Sequence, residues 1–370
     1  MSIKCAVMLV IPFYVGGCVT ISDDYPTIYE SSRTSSGDVD KMLTQDEAQV
    51  VLNNLAPYAR MAEAVYHRDL GDSSKSLATA CDYVMSTDES SRPQDLPKRW
   101  RRLDKSLMVK LGMEAQNSAD EPLRPCRAAV GLEYETYVRL GPGDTALEAV
   151  ISFRGTENKK HQWISDWAAN FSNVDFGVGG NTQFKEARAE GTRLIEALAR
   201  VLPKAPSSAA CKAASGQDNG IQAPIDLVGH SLGGGLAQHV AYSNMECNVR
   251  STVAFDPSPA TGWFFLKWRK GLVTKDPLIY RVYLDGEVLS FARLISTKFN
   301  MPRNNRHDIR MVFPGVTEGA FGRHAMTLLS AGINSAASVP PVNTIKPSVD
   351  YASRKLHPEI TAVELVNPSK

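Results

Sequence analysis

The sequence predicts an α/β fold: a central, mostly parallel β-sheet flanked by helices. From about residue 130 onward, short apolar strand-like segments alternate with amphipathic helical ones, as in parallel sheets whose strands are connected by helices. One strand-like segment, Ile225–Val228, runs directly into a glycine-rich turn, and small residues then begin a helix. With 43% hydrophobic and 22% charged residues, the composition is that of a folded globular protein.

Size and charge exclude several classes of protein. A length of 370 residues allows two domains or one large α/β domain. Lys and Arg together number 41 and Asp and Glu 40, so the formal net charge is +1. Proteins that bind nucleic acid usually carry a basic excess, and we therefore expect no nucleic-acid partner. No apolar stretch of the sequence reaches the ~18 residues of a membrane-spanning helix.

The N-terminal segment has the features of an export signal. Lys4 precedes an apolar run from Cys5 to Val15, which suits the hydrophobic region of a signal peptide. Val15–Cys18 resembles the lipobox of bacterial lipoproteins, in which the cysteine receives acyl chains that anchor it to a membrane. We predict a signal peptide over residues 1–17, a lipid-modified Cys18 and a location at the bacterial outer membrane or periplasm. A plain signal peptide with secretion, or a buried first strand, is the alternative.

Four cysteines lie beyond the N-terminal segment: Cys81, Cys126, Cys211 and Cys247. In an exported chain they allow three disulfide pairings. Pairing Cys81 with Cys126 and Cys211 with Cys247 keeps each bridge local, but the sequence leaves the pairing open, and four free thiols are the alternative. The cysteine spacing matches no metal-binding pattern, so we expect no metal site.

Composition divides the chain into further segments. Residues 18–43 are rich in Ser, Thr and Asp, and we predict a tether there. Residues 44–129 are predicted to form an N-terminal helical extension. Its first helix begins with a capping box at Thr44–Glu47 and continues to about Tyr66, interrupted at Pro57. A main α/β domain over residues 130–335 and a C-terminal tail over residues 336–370 follow.

Within the main domain, hydrophobic periodicity predicts five strands and two helices. The strands are Val130–Val138, Ala149–Phe153, Ile225–Val228, Thr252–Phe255 and Leu278–Leu284, and the helices are Thr182–Leu202 and one that opens at His324.

A nucleophile motif follows the strand Ile225–Val228. Gly229–Gly233 has the sequence GHSLG, a match to G-x-S-x-G. Because a strand precedes it and a helix follows, the serine is expected on a tight, strained turn with glycines where side chains would clash. The N-terminus of the following helix favours developing negative charge. Ser231 is therefore the candidate nucleophile, and a glycine-rich turn with an incidental serine is the alternative.

These motifs resemble those of the class 3 lipase family of α/β hydrolases. Besides Gly229–Gly234, of sequence GHSLGG, the match includes Phe153–Thr156, of sequence FRGT, and Asp166–Trp167 shortly after it. The resemblance covers residues 130–335, which we expect to form a class 3 lipase-like catalytic domain. It implies an α/β-hydrolase fold and ester hydrolysis through an acyl-enzyme, with no metal or organic cofactor.

The resemblance also implies which groups stabilise negative charge on the substrate. In the family, the residue after the Arg-Gly pair helps to form the oxyanion hole, and Thr156 occupies this position. We expect the backbone N–H groups of Thr156 and Leu232 to converge on one oxygen, each contributing about 3 kcal/mol to the transition state. An ordinary turn at a strand end is the alternative for this segment.

The catalytic base must follow the nucleophile in the chain order Ser, acid, His. Three histidines lie beyond the helix after the nucleophile: His307, His324 and His357. His324 precedes a Met- and Leu-containing helical segment, as the corresponding histidine does in relatives with this motif, and is our candidate base. We assign His307 to a polar loop and His357 to the tail. His230 is expected to pack beside its strand, and His239 to lie in the core or at the surface.

Three carboxylates follow predicted strands and compete for the role of triad acid. Asp256 occupies a position that resembles the acid of pancreatic-type lipases, although an Asp before Pro257 is also typical of a turn cap. Asp285 and Glu287 follow the next strand, where class 3 lipases place an Asp, and the best superposition puts Glu287 on that Asp. A Glu can orient a histidine as an Asp does. We take Glu287 as the acid and keep Asp256 and Asp285 as alternatives.

Two further segments combine aromatic and basic residues. Thr261–Leu272, of sequence TGWFFLKWRKGL, fits either a lid that faces lipid or an inserted helix packed on the body. Lys98–Arg102, of sequence KRWRR, fits a solvated helix face. Alternatively, it forms a surface for anionic headgroups together with Lys267–Lys270.

From these observations we predict a serine ester hydrolase that acts on lipid esters and meets its substrate at a membrane surface. The first alternative is a phospholipase A1 or lysophospholipase, because an anchored enzyme would meet phospholipid first. The second is an inactive surface lipoprotein that binds lipid or a protein partner. The triad itself does not define the substrate, since the same residues serve esterases, thioesterases and acyltransferases.

Overall fold

A computed structural model of the chain describes residues 25–34, 37–66, 96–113, 123–129, 132–155, 182–203, 205–206, 221–244, 248–263, 266, 277–290 and 306–339. Several predictions concern residues outside these ranges: the signal peptide at 1–17, Cys18, Cys81, Thr156, Asp166–Trp167, Cys211, Cys247, Lys267–Lys270, His357 and all but the first four residues of the tail at 336–370.

The described residues form one large sheet and a small separate one. The strands are β1 (Thr27–Thr34), β2 (Gly37–Met42), β3 (Trp100–Arg102), β4 (Cys126–Ala129), β5 (Leu132–Leu140), β6 (Ala146–Phe153), β7 (Ala205–Pro206), β8 (Ile221–Gln222), β9 (Ile225–His230), β10 (Ser251–Phe255), β11 (Ile279–Leu284) and β12 (Arg306–Val312). The large sheet has the order β2-β1-β12-β11-β10-β9-β6-β5-β3, with β4 also paired to β5, and β7 pairs with β8.

The centre of the large sheet is parallel and its two margins are antiparallel. Strands β6, β9, β10, β11 and β12 are parallel neighbours, whereas β1, β2, β3, β4 and β5 join antiparallel. Every residue of β9 and β10 is buried, as expected for parallel strands covered on both faces. The predicted parallel centre is thus confirmed, and the antiparallel margins make the whole sheet mixed.

Helices cover both faces of the sheet. They are α1 (Gln45–Ala64), α2 (Lys105–Lys110), α3 (Thr182–Val201), α4 (Leu232–Ser243), α5 (Ala320–Arg323) and α6 (Met326–Ala337). Side chains of α1 and α6 share a core with Val150, Val228 and Val253. Those of α3 and α4 share another with Ile151 and Leu227. Adjacent strand residues thus point to opposite helical layers. Among the described helices, none has the length and apolar character needed to cross a bilayer.

Helix α1 begins at the predicted capping box but is not interrupted. The Thr44 N–H donates to Glu47 Oε2 at 3.0 Å, and the Glu47 N–H donates to Thr44 Oγ1 at 3.4 Å. The predicted break at Pro57 is wrong, because the helix continues through it to Ala64. Proline in a helix interior costs about 3 kcal/mol. Tertiary burial of the apolar stripe on this helix offsets that cost, since Leu55, Ala59 and Ala62 are fully buried.

The predicted tether at residues 18–43 is wrong for its C-terminal part. Residues 27–34 and 37–42 form β1 and β2, an antiparallel pair, and β1 also pairs with β12. The polar composition misled the prediction, because strands at a sheet margin are stabilised by pairing with neighbours and carry few apolar residues. Ile28, which is buried, supplies part of this segment's core contact.

The extension at 44–129 contains strands as well as helices. Both β3 and β4 pair with β5, so this part of the chain completes the margin of the sheet. Cys126, the first residue of β4, is disulfide-bonded. All other cysteines lie outside the described residues, and the pairing scheme therefore stays a prediction.

The basic cluster Lys98–Arg102 does not lie on a helix face. Its last three residues are β3, in which Trp100 and Arg102 are buried. Arg102 Nε pairs with Glu135 Oε2 at 3.0 Å. Its guanidinium is therefore not accessible to anionic headgroups, and of the five residues only Lys98, Arg99 and Arg101 are exposed.

The predicted polar loop around His307 is strand β12. This strand is parallel to β11 and antiparallel to β1. His307 Nδ1 lies 2.8 Å from Glu30 Oε1, and its ring stacks on Tyr280 with 5.0 Å between centroids. The many charged residues of β12 hide its strand character in the sequence. Its pairing on both sides determines the conformation.

A buried ionic network fixes the amino-terminal end of β9. The carboxylate of Asp226, which is fully buried, accepts hydrogen bonds from Tyr58 Oη and Ser251 Oγ, both at 2.8 Å. Arg250 pairs with this carboxylate and with Glu148 Oε2, the latter at 2.7 Å. Helix α1 and strands β6, β9 and β10 are thereby connected at the end of the sheet opposite to Ser231.

Candidate active site

Ser231 lies on a strained turn between β9 and α4. Its backbone has φ 57° and ψ −124°, a conformation that residues with a Cβ rarely adopt. Two backbone hydrogen bonds to residues outside α4 hold it there. The Ser231 N–H donates to the Phe255 carbonyl at 3.0 Å, and the Ser258 N–H donates to the Ser231 carbonyl at 2.9 Å. The turn is therefore maintained by the neighbouring strand β10 and the segment that follows it.

The two glycines of the motif are required by close packing. A Cβ at Gly229 would lie 2.3 Å from the Gly233 carbonyl oxygen. A Cβ at Gly233 would lie 2.1 Å from the carbonyl oxygen of Phe153, at the end of β6. Real Cβ atoms do not approach backbone atoms so closely. The G-x-S-x-G spacing thus reflects the contact of the turn with itself and with β6.

The structure brings Ser231, His324 and Glu287 into one hydrogen-bonded line. His324 Nε2 lies 2.9 Å from Ser231 Oγ, and His324 Nδ1 lies 2.8 Å from Glu287 Oε2. A carboxylate only accepts, so Nδ1 carries the proton, and Nε2 is left to accept one from the serine hydroxyl. All three residues are buried. A serine, an oriented imidazole and a carboxylate in this order can perform nucleophilic catalysis.

The carboxylate of Glu287 is held by the turn that follows β11. Its Oε2 also accepts a hydrogen bond from the backbone N–H of Leu289 at 2.8 Å, and its side chain is completely buried. Arg323, the neighbour of His324, donates to the carbonyl of Asp285 at 3.0 Å. The segment with the histidine is thus bonded directly to the turn with the carboxylate.

Of the two alternative acids, Asp285 makes its ion pair with an arginine. Its carboxylate pairs with Arg310 at 3.1 Å, and its side chain is 44% exposed.

Asp256, by contrast, is close to the site and fully buried. Its Oδ1 accepts the N–H of Leu284 at 3.0 Å. One carboxylate oxygen of Asp256, one ring nitrogen of His230 and one of His324 lie within 4.8 Å of one another. Both carboxylates therefore surround the imidazole, and Glu287 makes the hydrogen bond to it.

The cluster of His230, Asp256 and His324 has the residue types of a metal site, but its ring nitrogens are engaged. His230 Nδ1 lies 2.8 Å from Tyr66 Oη, and His230 Nε2 lies 2.8 Å from the carbonyl oxygen of His324. Both nitrogens of His324 bond to the serine and to Glu287. A metal would have to displace these bonds, so the arrangement favours a hydrogen-bonded site.

His239, on α4, is a buried core residue. Burial lowers its pKa to about 4, a hydrogen bond from Nδ1 to the Thr261 carbonyl at 2.8 Å opposes this, and the charge of Arg188 lowers the pKa further. The ring is therefore neutral at physiological pH and donates from Nδ1. It ties the beginning of the segment Thr261–Leu272 to α4.

The remaining predicted residues are described only in part. Leu232 is the first residue of α4, so its N–H has no acceptor within the helix and is available to a substrate oxygen. Thr156 lies outside the described residues, which end at Gly155 on that side. In Thr261–Leu272, Trp263 and Leu266 are buried against Tyr242. The beginning of this segment thus packs on the body, and most of the rest lies outside the described part.

Tyr66 was missed by the sequence analysis. Its hydroxyl contacts both His230 Nδ1 and the N–H of Gly155. Nothing in the spacing of residues 66, 155 and 230 links them, because they meet only through the packing of α1 on the sheet. A tyrosine at the end of a well-capped helix is the weak signal that the sequence offers.

No protein-family model matches the chain, and no curated protein sequence matches it. Similar solved structures include lipases and esterases. The extracellular lipase LipA of Serratia marcescens is 18% identical, with a TM-score of 0.28, over 64% of this chain and 38% of the lipase. An esterase of the archaeon Pyrobaculum calidifontis is 14% identical, with a TM-score of 0.26, over 64% of this chain and 92% of the esterase. An esterase/lipase from an uncultured bacterium is 13% identical, with a TM-score of 0.26, over 70% and 98% of the two chains. This chain thus spans less than half of the Serratia lipase, and TM-scores below 0.5 do not establish a common fold.

Backbone strain at Ser231 predicts an unusual order of stability between two variants. Ser231→Gly removes the Cβ that causes the strain, whereas Ser231→Ala keeps it. Loss of the strain stabilises Ser231→Gly by ~1–3 kcal/mol, whereas the greater freedom of glycine in the unfolded chain destabilises it by ~0.4–1 kcal/mol. We therefore expect Ser231→Gly to be about 1 kcal/mol more stable than Ser231→Ala. Urea unfolding of both variants measures the difference.

Ser335, within helix α6, is the matched control for this comparison. There Ala is expected to be more stable than Gly by about 1 kcal/mol, because alanine is the better helix former. Equal stability of the two Ser231 variants, or the same order as at Ser335, would contradict strain at the turn.

Proposed function

We propose that the protein is a serine-dependent carboxylic ester hydrolase with an α/β-hydrolase fold. The observation that carries this proposal is the position of the His324 imidazole, 2.9 Å from Ser231 Oγ and 2.8 Å from Glu287 Oε2. In such a bridge the carboxylate holds the imidazole in one tautomer and stabilises the imidazolium that forms during the reaction.

The proposed reaction has two steps. Ser231 Oγ attacks the ester carbonyl carbon while His324 Nε2 removes the hydroxyl proton, and the resulting imidazolium is stabilised by Glu287. His324 then returns this proton to the leaving alkoxide, and the acyl group remains on Ser231. In the second step His324 takes a proton from water, which attacks the acyl carbon of the acyl-enzyme. The bond to Ser231 Oγ then breaks, His324 returns the proton to this oxygen, and the carboxylic acid leaves.

Negative charge on the carbonyl oxygen is stabilised by the start of α4. The Leu232 N–H is one proposed donor, because it opens a helix and therefore has no partner within it. Thr156 is the second proposed donor, and it follows Gly155 at the end of β6 directly in the chain. Each such donor is worth about 3 kcal/mol to the transition state.

The positions of the three residues on the sheet also support the α/β-hydrolase assignment. Ser231 follows β9, in the parallel centre of the sheet, and begins α4. Glu287 follows β11, and His324 comes after β12. The chain order Ser, acid, His on a parallel sheet is that of the α/β hydrolases. The motifs GHSLGG and FRGT resemble the class 3 lipases among them.

We propose lipid esters as the substrate class, and a phospholipid as the alternative. The lipid assignment rests on the class 3 resemblance and on the aromatic segment Thr261–Leu272. Burial of Arg102 removes one of the cations that the phospholipid alternative would use. The hydrogen-bonded line from Ser231 to Glu287 argues against the third candidate, an inactive lipid- or protein-binding lipoprotein.

We propose that the chain is exported and anchored at the membrane through Cys18. The disulfide at Cys126 supports export, because disulfides persist in oxidising compartments. Metabolic labelling with palmitate tests the anchor: label in the wild type that survives in Cys18→Ser would refute it.

Hydrolysis of p-nitrophenyl butyrate tests the nucleophile and the base. Ser231→Ala and His324→Ala are each expected to lower kcat by at least about 10⁴-fold, because either change removes the acyl-enzyme pathway. His239→Gln, on the same helix as the motif but outside the hydrogen-bonded line, is the control for folding and is expected to stay active. Activity that survives Ser231→Ala would assign the nucleophile elsewhere.

Replacement of each carboxylate by its amide tests whether Glu287 or Asp256 is the triad acid. Glu287→Gln is expected to lower kcat by about 10⁴-fold, since an amide no longer stabilises the imidazolium. Asp256→Asn retains the oxygen that accepts the Leu284 N–H, and Asn tolerates the φ of 38° at this position. Its kcat is expected to change by less than about 10-fold. A larger loss for Asp256→Asn than for Glu287→Gln would transfer the acid role to Asp256.

A comparison of tributyrin emulsions with phosphatidylcholine vesicles tests the substrate class. With detergent present to open any closed segment over the site, we expect faster release of fatty acid from tributyrin. Ser231→Ala provides the background rate for each substrate. Preferential hydrolysis of the vesicles would favour the phospholipase alternative, and hydrolysis of neither lipid beside a rapidly cleaved soluble ester would refute a lipid substrate.

A further inference from the structure

Tyr66 lies directly beyond α1, is buried, and contacts two parts of the site that the proposed reaction uses. Its hydroxyl oxygen is 2.8 Å from His230 Nδ1, and the Gly155 N–H donates to it at 3.1 Å. We propose that Tyr66 is a positioning residue for the ester hydrolysis proposed above: it holds the oxyanion segment through Gly155 and the catalytic histidine through His230. This inference rests on the proposed function.

The hydrogen-bond donors and acceptors along this chain match in one arrangement. The carbonyl oxygen of His324 only accepts, so His230 Nε2, 2.8 Å away, must carry a proton. In the neutral ring, Nδ1 then accepts from the Tyr66 hydroxyl. The hydroxyl oxygen in turn accepts the Gly155 N–H. The chain therefore runs from Gly155 through Tyr66 and His230 to the backbone of His324, with every donor paired.

This series of hydrogen bonds begins at Gly155, in the segment that leads to Thr156. A Cβ at Gly155 would lie 2.5 Å from the His230 carbonyl oxygen, 2.8 Å from Tyr66 Oη and 3.0 Å from Ser231 Cβ. The backbone at Gly155 thus touches the nucleophile turn itself. The Gly155 N–H donates to the Tyr66 hydroxyl, and this bond fixes the orientation of the peptide between Arg154 and Gly155. The next peptide along the chain carries the Thr156 amide.

The tyrosine ring is itself held in place. The guanidinium of Arg154 lies over it, 5.1 Å from the ring centroid, and pairs with Glu133 Oε2 at 3.1 Å. The ring of His230 meets it edge-on, with 5.8 Å between centroids. Because these contacts fix the ring, the hydroxyl has little freedom. Its two hydrogen bonds therefore orient Gly155 and His230.

The series of hydrogen bonds ends at the backbone of the catalytic histidine, His324. The rings of His230 and His324 lie 5.0 Å apart, and His230 bonds to the His324 backbone rather than to its ring. The ring nitrogens of His324 therefore stay available to Ser231 and Glu287. The Tyr66 hydroxyl thus connects three segments that are distant in sequence: the end of β6, the end of β9 and the segment before α6.

Tyr58, within α1, provides a matched control. It is also buried, and its hydroxyl donates to Asp226 Oδ2 at 2.8 Å. Asp226 lies at the beginning of β9, whereas Ser231 follows its end, and strands extend about 3.3 Å per residue. Tyr58→Phe thus removes a comparable buried hydroxyl from α1 without touching the site.

Steady-state hydrolysis of p-nitrophenyl butyrate by the full-length wild type, Tyr66→Phe and Tyr58→Phe tests the proposal. Tyr66→Phe is expected to lower kcat by about 10- to 100-fold with KM within about 2-fold, because misplaced oxyanion donors weaken only the transition state. Tyr58→Phe is expected to keep kcat within about 2-fold of the wild type. Melting temperatures are expected to fall in both variants, since both lose a buried hydrogen bond.

A second measurement uses only the wild type and does not require the variants to fold. In ¹H–¹⁵N spectra of the folded protein, His230 is expected as the tautomer with a protonated Nε2 and an unprotonated Nδ1. A protonated Nδ1 overturns the proposal. So does an equal kcat in Tyr66→Phe and Tyr58→Phe, with the wild type active. A wild type that hydrolyses no ester instead refutes the proposed function.

Discussion

The strained backbone at Ser231 is the constraint on which the rest of the site depends. With φ 57° and ψ −124°, the residue is stable only because the surrounding structure holds it. Hydrogen bonds to Phe255 and from Ser258 secure its two peptide groups. Glycines at 229 and 233 allow the turn to fold against itself and against β6. As a result of this conformation, the serine hydroxyl projects from the end of β9, and the amide of Leu232 lies next to it in the chain.

The parallel centre of the sheet explains how residues distant in sequence meet at this turn. Glu287 follows β11 and Asp256 follows β10, so both carboxylates leave the sheet at the edge where β9 ends. His324 reaches the same place from the segment after β12, and Arg323 bonds that segment to the turn of Glu287. One carboxylate makes the hydrogen bond to the imidazole, and the other lies buried close by. The site thus offers two acidic neighbours to one histidine, of which the geometry favours Glu287.

Local patterns predicted the parts of the structure that local physics determines. The central strands are continuous apolar runs because they are buried on both faces, and the glycine spacing marks the turn at Ser231. The strands β1, β2 and β12 could not be predicted in this way. Their residues are largely polar, and pairing with neighbours distant in the chain stabilises them. Likewise, burial of α1 against the sheet overrides the helix-breaking tendency of Pro57. The contact of Tyr66 with His230 depends on that same packing, so no pattern in the sequence could reveal it.

We propose Ser231 as an activated nucleophile whose reactivity depends on His324. The most direct measurement is the site and rate of covalent modification by a fluorophosphonate, followed by mass spectrometry of the intact protein and its peptides, with and without detergent. We expect one phosphonyl group per chain, located on Ser231, and at least about 10³-fold slower labelling in His324→Ala. Modification of a different serine, or equal labelling rates in the wild type and His324→Ala, would contradict it.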